Sequence, residues 1–187
     1  MTPSIGIMAS QISGHLWAPS GAYDSIATTT VGSGGTATVT FSSIPATYTH
    51  LQIRGFFSPS VTGAYTSLRF NSDTGANYTI HKLSGNGSAA SAAAYSSRTD
   101  TAFNDDSNGT TSIFGAVVCD ILDYANTSKY KTQRSLYGVD LNGSGTMFLT
   151  SGLWQSTTAI STITIAATSS GLFNQYSSFA LYGIKGA

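Results

Sequence analysis

The run Thr36-Ala37-Thr38-Val39-Thr40-Phe41 sets Ala37, Val39 and Phe41 on one side of the chain and three threonines on the other. Apolar and polar residues alternating at a period of two mark a strand with one face in a core and one in water. A second strand-like run, Tyr23 to Val31, precedes it across Gly32-Ser33-Gly34-Gly35. Glycines accept the positive φ angles of a tight turn, so the two runs are expected to form a β-hairpin.

The same signature recurs outward from this pair. Leu51 and Ile53 alternate with His50, Gln52 and Arg54, Leu68 and Phe70 flank Arg69, and Tyr78 and Ile80 flank Thr79. Further runs lie at Ile113 to Leu122, Thr132 to Tyr137, Thr146 to Leu149, Ile160 to Ile165 and Ser178 to Ile184, with Asn142-Gly143 as a turn. Ser84 to Asn108 dissolves into Ser, Ala, Gly, Asn and Asp and reads as a long surface loop, because Ala89 to Ala94 is too short to nucleate a helix. About nine or ten short strands punctuated by turns predict an all-β fold, an antiparallel β-sandwich of the jelly-roll kind, over residues 21–187.

Composition agrees with that class. Only 9% of the 187 residues are charged, and every acid is Asp, so the chain lacks the Glu on which helices draw heavily. Eight Lys and Arg balance eight Asp, which leaves no basic stripe for nucleic acid and no polybasic patch for an anionic membrane. No apolar run approaches the length that crosses a bilayer, and the first residues lack the pattern of a signal peptide.

Residues 1–20 differ from the rest. Ile5, Ile7, Met8, Ile12, Leu16 and Trp17 are scattered among Gly, Ser and Pro, too irregularly for a helix and too densely for a solvated tail. Such a segment gains stability only against a surface, either its own sandwich or a neighbouring subunit, and of the two the expectation taken is an N-terminal docking arm on another subunit.

No catalytic constellation is expected. A glycosidase needs two carboxylates at a set separation, whereas Asp105 and Asp106 are loop neighbours and Asp120 and Asp123 stand at a strand end, where residues three apart face opposite ways. Asn104 to Gly109 partly mimics a calcium loop around Asp106, but its twelfth position is Gly115 where a bidentate Glu is required. His15, His50 and His81 lack partners at metal-ligand spacing, and no cofactor fingerprint occurs. The lone Cys119, in Ala116-Val117-Val118-Cys119, reads as a small buried hydrophobe. Five Asn-x-Ser/Thr sequons, at Asn77, Asn86, Asn108, Asn126 and Asn142, follow from the abundance of these residues. Ten Tyr, nine Phe and two Trp are more than one core hides. Tyr65, Tyr95, Tyr124 and Tyr130, beside turns, are the candidates for contact with a host surface or partner.

Four segments resemble a family of small structural proteins of tailed bacteriophages, especially those of aquatic bacteria such as cyanobacteria. They are Tyr23-Asp24-Ser25-Ile26-Ala27-Thr28, the stretch from Phe41 through Ile44-Pro45 and Tyr48 to Arg54, Asp120-Ile121-Leu122-Asp123-Tyr124-Ala125-Asn126, and Tyr176 to Gly183. The resemblance implies a virion component on the particle surface, assembled in the host cytoplasm in symmetric copies such as a homotrimer, with other virion proteins as partners. A tail-fibre or spike subunit docked by residues 1–20 is the favoured placement, and a capsid-decorating cement protein is the alternative. A free carbohydrate-binding module, holding host glycan without the arm, is a third reading.

Overall fold

The computed structural model describes residues 21–104 and 113–186. Those residues form β1 (Tyr23–Thr30), β2 (Thr38–Phe41), β3 (His50–Phe57), β4 (Thr66–Phe70), β5 (Tyr78–Gly85), β6 (Ala90–Arg98), β7 (Thr101–Asn104), β8 (Gly115–Leu122), β9 (Lys131–Asp140), β10 (Gly145–Trp154), β11 (Ile163–Ala167) and β12 (Ser178–Ile184). The all-β expectation holds, with an eight-stranded sheet in the order β1-β12-β3-β8-β9-β10-β5-β6 facing a four-stranded one in the order β2-β11-β4-β7. Pairing is antiparallel throughout these sheets. Residues 1–20, with the six candidate docking side chains, lie outside the described residues, as do Asp105 and Asp106.

The inward-facing residues are those the alternation selects. Val39 and Phe41 of β2, Leu51 and Ile53 of β3, and Phe179 and Leu181 of β12 are buried. Two aromatic clusters fill the core, the second of them joining the sheets. Phe57 stacks on Phe179 with centroids 5.3 Å apart and meets the edge of Phe173 at 5.7 Å, while Phe70 of the smaller sheet lies 5.6 Å from Trp154 of the larger. Burying such rings supplies much of the driving force of a sandwich this size.

The expected hairpin of Tyr23–Val31 with Thr36–Phe41 does not form. The glycine turn is present, but β1 pairs with β12 and β2 with β11, so the chain crosses from one sheet to the other between them. Phe173 makes the crossing specific: its N donates to Thr36 O and its O accepts from Thr36 N, at 2.7 and 3.1 Å. Gly35 has φ +72° and packs so closely on the Phe173 carbonyl that a Cβ would sit 2.8 Å from its oxygen. The glycines therefore serve a change of layer, which alternation alone does not distinguish from a hairpin.

The expected surface loop from Ser84 is also corrected. After the Asn86-Gly87 turn, β6 runs back along β5, with Leu83 opposite Ala92 and Ile80 opposite Tyr95, and β7 then joins the smaller sheet. Alanine and serine are weak strand formers, and here pairing with β5 overrides local preference. In the turn, Asn86 Oδ1 accepts from Ser88 N and Ala89 N at 3.0 and 2.8 Å. Two hairpins, β5–β6 and β9–β10, thus widen the larger sheet, with β7 of the smaller one packing on β9, β10 and β5.

The β4–β5 connection is held by Asp73, whose carboxylate accepts from Gly75 N at 2.8 Å, Asn77 Nδ2 at 2.9 Å and Trp154 Nε1 at 2.7 Å. The bonds from Asn77 and Trp154 hold its carboxyl below the usual 3.8. Asp73→Ala is expected to lower the unfolding free energy by about 2 kcal/mol in urea titrations, the scale of hydrogen bonds to a charged group. The unfolded chain takes up the proton first on acidification. The difference between wild type and variant is therefore complete at neutral pH and narrows as pH falls below about 4 through the depressed pKa.

Candidate functional site

Of the four candidate tyrosines, the fold brings Tyr65 and Tyr95 together and separates the other two. Tyr65 lies just before β4 and Tyr95 on β6, and Arg98 stands between them, its guanidinium 5.1 Å from the first ring and 5.7 Å from the second. On the far side of Tyr95, the Lys82 ammonium is 5.5 Å from the same ring and 6.0 Å from that of Phe148. The result is a ladder of alternating rings and cations, Tyr65, Arg98, Tyr95, Lys82 and Phe148. Such cation–π contacts fix long side chains that would otherwise be mobile.

Asp100 anchors this ladder. Its carboxylate is almost fully buried, accepts from Arg98 Nη2 at 3.0 Å, and lies 3.6 Å from Arg69 Nη2. Tyr65 donates its hydroxyl to the other carboxylate oxygen at 3.2 Å. Burial and the negative Asp100 together push the Tyr65 phenol above its ordinary value. Both oxygens of Asp100 are thereby engaged, which suits it to hold Arg98 over the rings and ill suits it to shuttle protons.

The ladder borders an open groove of about 620 Å³ lined by Gly63, Lys82, Ser84, Asn86, Ser91 and Phe148. It lies where the inner face of the β5–β6 hairpin overhangs the smaller sheet, whose edge strand β7 packs on β10, β5 and β9. The half-exposed Tyr95 ring beside an ammonium, hydroxyls and an amide can meet a polar ligand such as a sugar, or a partner loop.

Tyr124 is corrected from a surface candidate to a structural one. It is buried, its hydroxyl donates to Pro45 O, and Tyr48 N approaches that hydroxyl at 3.4 Å. A phenol next to a turn in sequence is here a clamp on a connection remote in sequence. Tyr130 is half exposed in the connection leading into β9. Beneath it Lys131 is fully buried, its ammonium donating to the carbonyls of Asn126, Lys129 and Thr157, and burial lowers its pKa.

The carboxylates of Asp120 and Asp123 each have side-chain partners. Asp120 accepts from Gln52 Nε2 at 2.7 Å. Asp123, at φ +48°, pairs with Lys129 and lies 3.5 Å from His50 Nδ1, and chiefly the bond from Lys129 holds its carboxyl below the usual range. Asn104, first residue of the calcium-like stretch, is buried with its Oδ1 accepting from Thr66 N at 2.9 Å. Among the described residues, no three His, Cys, Asp or Glu side chains cluster so as to hold a metal ion.

Arg98, Lys82, Asp100 and Arg69 are not visible as a group in the sequence because three of them fall in or beside the stretch from Ser84 to Asn108. The Asn86-Gly87 dipeptide was the available signal. Read as a hairpin turn, it folds the following run back on β5 and carries Tyr95 and Arg98 toward Lys82.

Arg98→Ala removes the guanidinium shared by Tyr65 and Tyr95, leaving Tyr95 with Lys82, and leaves a buried carboxylate with one guanidinium. A loss of about 2–4 kcal/mol in urea unfolding is expected. Arg98→Lys, which keeps the charge but not the planar stacking, is expected to recover part of it. No protein-family model, curated protein or solved structure matches the chain.

Proposed function

We propose that the chain is a non-enzymatic structural subunit on the surface of a tailed-phage particle, docked by residues 1–20 and presenting the β5–β6 rim away from the particle. The observation that supports this reading is that the described chain begins beside β1, at the edge of the larger sheet opposite to β6. Gly21 leads into β1, one edge strand of the larger sheet, and the ring-and-cation ladder sits at β6, the other edge. Seven strand spacings, about 34 Å along the sheet, separate them. An anchor at one rim leaves the other free to meet a host surface or a neighbouring protein.

The segments that resemble phage structural proteins support the same division. Setting aside the β5–β6 and β9–β10 hairpins leaves β1-β12-β3-β8 facing β2-β11-β4-β7, a strand order that supports a jelly roll, an architecture used in viral capsids and lectins. The four resembling segments fall on or beside β1, β12, β3 and β8, which are consecutive neighbours. They also hold one another: Tyr124 bonds Pro45, Asp123 N donates to His50 Nδ1 at 2.9 Å, and Asp120 bonds Gln52. The shared segments are thus scaffold, and the added hairpins carry the rim. A rim of this kind favours a tail-fibre or spike position over capsid decoration. A carbohydrate-binding module remains the second reading, favoured by the rings beside the groove.

Deleting residues 1–20 tests the docking. The truncated chain is expected to keep a β-type circular-dichroism spectrum while losing incorporation into particles, and undiminished incorporation would refute the arm. Antibody labelling of intact particles, read by electron microscopy, separates tail from head. Host polysaccharide is expected to stay intact after prolonged incubation with the protein. Cleavage that disappears in Asp106→Asn or Asp120→Asn would establish an enzyme instead. For the glycan reading, Tyr95→Ala is expected to weaken binding of host polysaccharide about tenfold, the loss of one stacked ring.

A further inference from the structure

The outer face of the larger sheet, which looks away from the core, is apolar along its middle. Val118, Leu136, Leu149 and Leu83 are successive register partners on β8, β9, β10 and β5. Their relative exposures are 42, 53, 53 and 53%. In the adjacent row, Phe56 of β3 and Met147 of β10 are 52 and 57% exposed, with Ala116 and Gly138 between them. An antiparallel sheet with one face in water ordinarily alternates to polar residues on that face. These six side chains expose on the order of 600 Å² of contiguous apolar surface, at the upper limit for a typical monomer.

From this face we infer that two copies of the chain pair through their larger sheets, about a two-fold axis running parallel to the strands between β9 and β10. The inference does not depend on the phage reading. Its basis is that the rows are self-complementary under that operation. Leu136 meets Leu149 of the second copy, and Val118 meets its Leu83. In the next row, Met147 lies over Gly138 of the second copy and Phe56 over its Ala90, large residues over small ones. The third row, Gln52, Asp120, Arg134, Ser151, His81 and Ala94, sets Asp120 opposite His81 and Arg134 opposite Ser151, so no like charges meet. A shallow groove where the alanines of β6 fall below Leu83 and Leu149 lies opposite the bulkier β3 end of the other copy.

The area is also sufficient. Two such faces remove about 1,200 Å² from water through the six side chains alone, the lower end of stable, specific interfaces. Aligned sheets keep their strand directions within about 30° of each other, so the pair nearest the axis, Leu136 with Leu149, is the one held most closely opposed. An isologous contact of this kind closes on itself and does not propagate.

Sedimentation equilibrium of the full chain from about 1 to 100 µM tests the pairing. A monomer–dimer equilibrium is expected in this range, and Leu136→Lys or Leu149→Lys is expected to weaken it at least about 30-fold, as a substitution at an interface hot spot does. Both sites are exposed, so the variants should keep the wild-type far-ultraviolet spectrum. Carbene footprinting of unmodified protein gives a second readout, in which labelling of Leu136 and Leu149 should fall as concentration rises. A monomer at 100 µM, dimers unaffected by both substitutions, or protection independent of concentration, as when residues 1–20 of the same chain cover the face, would overturn the inference.

Discussion

Three polar side chains on the inner face of the larger sheet hold the two layers in register. Gln133 Nε2 donates to Thr101 Oγ1 and Ala102 O at 3.2 and 3.1 Å, and Ser135 and Thr150 both donate to Phe103 O, at 3.3 and 3.4 Å. β7 is a four-residue edge strand with only β4 beside it in its own sheet. Its remaining backbone groups would be buried without partners, at a cost of about 1–3 kcal/mol each, unless the opposite layer supplied them. Gly152 opens the space for this approach, since a Cβ there would collide with Thr101.

The position of β7 decides where the overhang begins and therefore where the groove lies. The smaller sheet ends over β10 and β5, and β6 projects past it with Tyr95 and Arg98 on the uncovered inner side. Asp100, between β6 and β7, is the hinge point of this arrangement, because it fixes Arg98 on one side and Arg69 of β4 on the other. The same hairpins that create the groove inside bring Leu83, Leu136, Met147 and Leu149 to the outer face. One extension of the sheet thus yields two surfaces of different chemistry.

Much of this was legible in the residues, and the failures share a cause. Strands with one greasy face announced themselves: β12 coincides with the run Ser178 to Ile184, and Val39 and Phe41 point inward as their alternation requires. What a period of two does not encode is which strand lies alongside. Gly32 to Gly35 looked like a hairpin turn, and only Phe173, far along the chain, makes it a crossing. β6 was hidden because Ala and Ser carry too little contrast between faces. Tyr124 was misplaced because its partner, Pro45 O, lies 79 residues away. The site was half visible: Tyr65 and Tyr95 stood out as rings, whereas the cations that bind them into one patch required knowing that β6 folds back on β5.

The location of the ladder and of Gly21, which leads into β1, on opposite rims has a mechanical side. Traction applied between Gly21 and Tyr95 runs across the strands, along their interstrand hydrogen bonds. Bonds pulled in that direction yield one ladder at a time, as a zipper does, instead of sharing the load in shear. Such peeling starts at the two rims, β1 and β6, each held in the sheet by a single neighbour, and reaches the aromatic core at Phe57 and Phe179 only afterwards.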